Sequence, residues 1–186
     1  LMSQRTAFAL FVTGLVVIVA LFVGWNVWQA RRSTTEDLSA VLEINARGVG
    51  HMEQYEYEKA ESEFRRVIQL APKWTPGYIN LGIALLNQDK EPQLNEAIDL
   101  FRKVLANEPD NPYANFCLGF ILAYYRNYTE AIPHFRKVVE KDPHDAGAWY
   151  QLGYVLSQQG DDPDEATRCF EKAHRLNPYM SGPLSN

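Results

Sequence analysis

The chain has 186 residues, of which 46% are hydrophobic and 22% charged, a composition typical of a folded protein. All 23 acidic residues lie at or after Glu36, whereas three of the 18 basic residues, at positions 5, 31 and 32, precede it. After those three, 15 basic residues stand against 23 acidic ones, a formal charge of -8. Such a surface repels phosphate backbones, so nucleic acid is excluded as an expected partner.

The first thirty residues contain one long apolar segment. From Ala7 to Val23 the sequence reads AFALFVTGLVVIVALFV, and the apolar character continues to Trp28. A membrane-spanning helix needs roughly 20 such residues. Tryptophan near the end of the segment, followed by two arginines, is typical of a membrane interface. We therefore predict a single transmembrane helix over residues 6–30, through which the chain contacts a membrane.

A cleaved signal peptide is the alternative for this segment. Its apolar region would be shorter, roughly 7–15 residues, and would end in small residues before the cut. A cut after Ala30 would place Trp28 three residues upstream, so a retained anchor is favoured. Basic residues on the two sides nearly balance and leave the orientation open. The short tail ahead of a long folded part favours the extracytoplasmic (periplasmic) side of a bacterial envelope for that part.

A repeat organises the rest of the chain. The segment 115–143 aligns with 149–178 at offsets of 34 or 35 residues, and two further copies lie upstream. Each copy carries a Gly, an Ala, a Phe and a Pro in that order: Gly48, Ala60, Phe64, Pro72; Gly82, Ala97, Phe101, Pro109; Gly119, Ala131, Phe135, Pro143; Gly153, Ala166, Phe170, Pro178. The second copy has three extra residues, which we place in the turn NQDKEPQLN. No sustained period-2 alternation occurs, so strands are not expected.

This pattern resembles the tetratricopeptide repeat (TPR) family, a helix–turn–helix unit of roughly 34 residues with W-x2-L-G-x2-Y, then A-x3-F, then P. Trp149 holds the first signature position, and Ile44, Tyr78 and Asn115 fill it elsewhere. The resemblance implies an all-α fold, a right-handed superhelical array of four TPR helix hairpins preceded by one transmembrane helix. The predicted ranges are a tail 1–5, the helix 6–30, a linker 31–38, a TPR domain 39–179 with repeats 39–72, 75–109, 112–143 and 146–178, and a tail 180–186.

The repeated residues have a packing explanation. Small residues, Gly and Ala, stand where the two helices of a hairpin must approach closely, and we expect the phenylalanines to fill the gap between successive hairpins. Proline ends each second helix because it lacks an N–H donor and clashes inside a helix. A single hairpin cannot bury its apolar side alone, and at least three stacked repeats are needed, so four suffice.

The resemblance also implies a peptide groove. In the TPR family the first helix of each hairpin lines the concave surface, at positions two, five, nine and twelve of the repeat. The predicted groove residues here are Ile79, Ile83, Tyr113, Phe116, Phe120, Tyr124, Tyr150 and Tyr154. The alternative is that several, Phe116 and Ile79 above all, belong to the core. The Lys/Asn clamp of chaperone-binding relatives is absent, since Asn45, Val49, Asn80, Tyr113 and Cys117 stand there. An apolar or aromatic segment is the expected ligand.

No catalytic residues are predicted, so the chain is not expected to be an enzyme. The four histidines are scattered without HExxH or cysteine spacing, so neither a metal nor a cofactor is expected. Cys117 and Cys169 are read as small buried hydrophobes. No small-molecule substrate is expected.

Three functional readings follow. The first is a membrane-tethered adaptor or scaffold that binds protein partners through the TPR groove. The second is a permanent structural or assembly subunit of a membrane protein complex. The third is the N-terminal part of a larger surface protein, because residues 51–87 also resemble the TPR regions that precede FG-GAP and ASPIC/UnbV domains. Partner, process, oligomeric state and completeness of the chain are not specified by the sequence.

Overall fold

The computed structural model describes residues 38–179, and this part of the chain folds into eight α-helices without a β-strand. The described residues belong to two units, with the division between Ile44 and Asn45. The described part of the first unit, residues 38–44, is helical. The helices are α1 (38–53), α2 (Tyr57–Leu70), α3 (Thr75–Leu86), α4 (Glu91–Asn107), α5 (Pro112–Tyr124), α6 (Tyr128–Lys141), α7 (Ala146–Gln159) and α8 (Pro163–Leu176).

Successive helices pack as antiparallel hairpins that stack on one another. Helix α3 pairs with α4, α5 with α6, and α7 with α8, while α4 packs on α5 and α6 on α7 at the junctions. The first helices of neighbouring hairpins, α3, α5 and α7, also touch in turn. The all-α prediction and the TPR-like superhelical arrangement are therefore confirmed for the described part of the chain.

The predicted membrane helix lies outside the described residues. Within residues 38–179, no helix combines the length and the apolar character that crossing a membrane requires. The segment 6–30, the linker before residue 38 and the tail after residue 179 stay predictions.

In each hairpin a glycine of the first helix lies directly against a phenylalanine ring of the second helix. A Cβ added at Gly82 would lie 2.7 Å from Cε1 and Cζ of Phe101, and one at Gly119 would lie 3.1 Å from Cζ of Phe135. Carbon atoms pack at about 3.5–4.0 Å, so these rings occupy the space that a side chain would need. The predicted close approach is confirmed. The predicted place of the phenylalanines is corrected: each ring fills its own hairpin, because the glycine beside it leaves the space there.

The three extra residues of the second repeat lengthen a helix and not a turn. Helix α4 has 17 residues, whereas α2, α6 and α8 have 14 each. The turn before α4 spans only residues 87–90. The predicted insertion in the turn is therefore wrong, because Glu91, Pro92 and Gln93 add a first turn to α4. Proline is compatible with that position, because a backbone N–H in the first turn has no acceptor within the helix. Leu94, behind the added turn, is buried.

The first signature position joins consecutive repeats through hydrogen bonds. In each of the last three repeats its side chain donates to the carbonyl of the proline that follows the preceding helix: Tyr78 Oη to Pro72 O at 2.9 Å, Asn115 Nδ2 to Pro109 O at 3.0 Å, and Trp149 Nε1 to Pro143 O at 3.0 Å. Three chemically different side chains thus make the same connection.

Asn115 stands where the neighbouring repeats have an aromatic residue, and its side-chain amide is fully hydrogen-bonded. Its amide is 1% exposed, and it donates to the carbonyls of Pro109 and Asn111. Its Oδ1 lies 2.8 Å from Nδ1 of His134. Because an amide oxygen can only accept, Nδ1 of His134 is the donor of that pair. Burial lowers the pKa of the His134 imidazole, which favours this neutral form. A buried amide with every partner present does not destabilise the core.

Ion pairs join the second helices across two of the repeat junctions. Arg65 of α2 donates to both carboxylate oxygens of Glu96 of α4, each at 2.7 Å. Arg136 of α6 makes the corresponding pair with Glu165 of α8 at 3.0 and 2.9 Å. The hydrogen bonds from Arg65 lower the pKa of the Glu96 carboxyl. These pairs lie on helices other than α3, α5 and α7, so they do not compete with the predicted groove.

Candidate peptide-binding groove

Three cavities lie along α3, α5 and α7. The first, of about 700 Å³, lies between α3 and the start of α5 and is lined by Lys73, Trp74, Thr75, Pro76, Ile79, Asn80, Ile83, Glu108, Asn111 and Tyr113. The second, of about 480 Å³, is lined by Leu86, Asn87, Asp89, Leu94, Phe116, Cys117, Phe120, Ile121 and Tyr124. The third, of about 350 Å³, is lined by Phe120, Ala123, Tyr124, Arg126, Tyr128, Gln151, Tyr154 and Gln158.

Helix α5 connects these cavities. Tyr113, Phe116, Phe120 and Tyr124 recur at three- to four-residue intervals, which places them on one side of the helix. Tyr113 borders the first cavity and Phe116 the second. Phe120 and Tyr124 line both the second and the third cavity. The cavities therefore form parts of one surface, which we call the α5 groove.

Four of the eight predicted groove residues are exposed. Tyr113 and Tyr124 are each 65% exposed, Phe120 is 41% exposed and Tyr154 is 38% exposed. Each of them lines at least one of the three cavities. The structure thus brings these residues together on the α5 groove, at its surface, where a ligand can reach them.

The other four predicted residues are buried or half-buried, and Tyr150 lines none of the three cavities. Ile79 is 7% exposed and belongs to the core, although it borders the first cavity, and Ile83 beside it is half-buried. Phe116 and Tyr150 are half-buried and make edge-to-face contacts with Phe135 at 5.7 Å and Phe170 at 5.5 Å. Phe116 and Tyr150 therefore face the phenylalanine of their own hairpin.

Several groove residues were not expected from the sequence. Tyr128, the first residue of the second helix α6, faces Tyr154 across the third cavity with ring centroids 6.4 Å apart. Leu94 of α4 lines the second cavity and holds the repeat position that Tyr128 holds in α6. Arg126 and Asp89 come from turns. The predicted pattern covered only first helices, so contributions from turns and from second helices were missed.

The described lining of the α5 groove combines apolar, aromatic and polar side chains with one thiol, that of Cys117. Burial raises the pKa of the Cys117 thiol to about 12, so this sulfur is protonated at neutral pH and is not a nucleophile. Cys169, outside the groove, is likewise raised to about 11, first of all by burial. Within residues 38–179 no group of three or more His, Cys, Asp or Glu side chains is arranged to hold a metal ion. Aromatic rings with polar tips are the typical components of a protein-binding surface.

The stacked hairpins of the described residues have a TPR-like all-α superhelical fold. A family model described as Tetratricopeptide repeat (TPR_16) matches residues 121–181 and supports that family for this chain. A comparison with curated proteins gives no match.

Solved structures with the same fold include MamA and YrrB. MamA from Desulfovibrio magneticus RS-1 has 23% identity and a TM-score of 0.65 over 74% of this chain and 76% of that one. MamA AMB-1 has 25% identity and a TM-score of 0.62 over 76% and 75%. YrrB, a TPR protein with an unusual peptide-binding site, has 22% identity and a TM-score of 0.60 over 76% and 71%.

Proposed function

We propose that this chain is a membrane-tethered adaptor that binds an apolar or aromatic peptide segment of a partner protein in the α5 groove. The observation that carries the proposal is the exposure of Phe120, Tyr124 and Tyr154 on a surface that joins two cavities. Aromatic residues in concave, water-accessible surfaces are the usual anchors of protein recognition. The similarity to a peptide-binding TPR protein, YrrB, supports the same class of ligand.

The second cavity sets the size of the anchor. Its volume of about 480 Å³ and its lining by Leu86, Phe116 and Phe120 suit a large apolar side chain together with some of its flanking backbone. Tyr113 and Tyr154, in the cavities on either end of α5, would contact neighbouring residues of the segment. An extended or a helical segment would present such anchors along one side.

The apolar segment 6–30 is the basis for the tether in this proposal. A membrane anchor confines the groove and a membrane-bound partner to the same layer and raises their effective concentration, so weak contacts suffice. The proposed position of the groove is the extracytoplasmic (periplasmic) side of a bacterial envelope. Catalysis forms no part of this function.

Photo-crosslinking in native membranes tests the adaptor. A crosslinkable amino acid replaces Phe120 in the groove or, as a control, the exposed Lys141 at the end of α6. A discrete adduct at Phe120 and none at Lys141, identified by mass spectrometry, is the expected result. An adaptor further predicts that the adduct is lost in high salt or with a competing peptide, whereas a permanent subunit would co-purify at fixed stoichiometry. If folded, membrane-bound protein yields no adduct at Phe120, the adaptor proposal fails.

A further inference from the structure

Two charged residues occupy the same turn position in neighbouring repeats. Asp89 follows α3 and Arg126 follows α5, each two residues before the next helix, with φ of 50° and 59°. This left-handed backbone region favours glycine, and Gly160 holds it in the last repeat with φ of 82°. Aspartate is also tolerated in this region, whereas arginine is not favoured there, so backbone preference gives no reason for the Arg126 side chain.

Each of these residues supplies the charge of one cavity. Among the described residues that line the second cavity, Asp89 is the ionised one, since the Cys117 thiol stays protonated. Among those that line the third cavity, Arg126 is the ionised one, accompanied by tyrosines and glutamines. Within residues 38–179, neither charge has an opposite charge within 4.0 Å. Both are thus available to a ligand.

We propose that the α5 groove selects a peptide in which an acidic side chain, Asp or Glu, stands next to the apolar or aromatic anchor. The anchor occupies the second cavity, and the carboxylate meets the guanidinium of Arg126 in the third. This inference rests on the proposed peptide-binding function and adds the chemistry and polarity of the ligand.

Three features favour this ligand. The two cavities adjoin at Phe120 and Tyr124, so one short segment reaches both. A guanidinium binds a carboxylate through two parallel hydrogen bonds, and Gln151 and Gln158 offer amide donors in the same cavity. Asp89 repels a carboxylate from the second cavity, so it fixes which end of the segment carries the acid. The contact differs from a Lys/Asn clamp on first helices, because Arg126 belongs to a turn.

The two turn residues provide a matched pair of variants. Glycine is compatible with the backbone at both positions, so Arg126→Gly and Asp89→Gly each remove one charge without forcing the turn to change. Arg126→Lys retains the charge. Full-length protein in detergent micelles is panned against a random peptide library displayed on phage, and the enriched peptides are synthesised and their dissociation constants measured by fluorescence anisotropy.

Enriched peptides are expected to combine a Phe, Leu or similar anchor with a neighbouring Asp or Glu. At low ionic strength Arg126→Gly weakens their binding about tenfold, and added salt reduces the difference, because an exposed ion pair is screened. Asp89→Gly removes the repulsion in the second cavity, so peptides with the acid on the other side of the anchor should bind as well. Arg126→Lys should retain most of the binding.

Two results would overturn the inference. If enriched peptides bind in the groove but lack an acidic residue, or bind Arg126→Gly as tightly as the unaltered protein, the assigned ligand chemistry is wrong while the peptide-binding function stands. If no peptide is enriched by folded protein, the proposed function and the inference both fail. Circular dichroism of each variant confirms that it is folded before panning.

Discussion

The contact between Gly82 and Phe101 permits a quantitative test of how the hairpins close. We consider Gly82→Ala in α3. The new Cβ would stand 2.7 Å from two atoms of the Phe101 ring, roughly 0.8 Å closer than a normal carbon contact. Phe101 is 0% exposed, so its ring cannot move into solvent. Inserting a methyl group into a filled core costs about 1–3 kcal/mol.

Helix propensity acts in the opposite direction. Replacing Gly by Ala inside a helix stabilises it by about 1 kcal/mol when nothing obstructs the methyl group. Gly50 in α1 provides that case, because a Cβ added there meets nothing within 4 Å. We therefore expect Gly50→Ala to raise the free energy of unfolding by about 0.5–1 kcal/mol. Gly82→Ala should lower it by up to about 2 kcal/mol, because the cost of the overlap is larger than the gain in helix propensity.

Urea denaturation of the full-length chain, followed by circular dichroism, measures both changes. The unfolding midpoint should shift in opposite directions for the two variants while the slope with denaturant stays constant. Gly119→Ala, with its nearest contact at 3.1 Å, should fall between them. A Gly82→Ala protein as stable as Gly50→Ala would refute the reasoning, because the glycine would then not be required by the ring.

Three further outcomes are expected from the structure. Asn115→Ala should lower the free energy of unfolding by about 1–3 kcal/mol in the same denaturation assay, since it leaves Nδ1 of His134 without its partner and removes the side-chain donor to two carbonyls; an unchanged midpoint would contradict the network. Arg65→Met should lower the free energy of unfolding by about 0.5–1 kcal/mol at pH 7. Because Arg65 lowers the folded-state pKa of Glu96, this contribution is present above the unfolded pKa of about 4.3 and is lost as pH falls through the folded value, so the two proteins should converge in thermal melts at low pH. Alkaline carbonate should leave the full-length chain in the membrane pellet and a chain lacking residues 6–30 in the supernatant; release of the full-length chain would refute the proposed anchor.

The fold could be predicted because its determinants are local and repeated. The Gly and Ala of each copy mark where the two helices approach closely, the Phe marks a packed ring, and the Pro marks the end of the second helix. The same pattern did not reveal that residues 91–93 extend α4. The spacing from Gly82 to Ala97 is the same whether the three extra residues lie in the turn or in the helix. It also assigned the phenylalanines to the wrong gap, since spacing along the chain does not say which neighbour a ring faces.

The groove was predictable only in part, for a related physical reason. Helical periodicity places Ile79, Phe116 and Phe120 on adjoining sides of their helices, but the depth of each side chain depends on the ring packed beneath it. Arg126 could not be found by periodicity, because it lies in a turn, and Tyr128 was missed because it starts a second helix. A charged residue at a position suited to glycine was the available signal.

The bond from the first signature position to the preceding proline carbonyl bears on how such repeats diverge. Tyrosine, asparagine and tryptophan each reach that carbonyl, so this site tolerates exchange of side chains as long as a donor remains. The residue at this position can therefore change while the hydrogen bond between neighbouring repeats is preserved. The family model matches residues 121–181, the stretch that includes Trp149, whereas Tyr78 and Asn115 lie upstream of it. The similarity of the last three repeats at this position is therefore seen in the shared hydrogen bond to the proline carbonyl and not in a shared residue type.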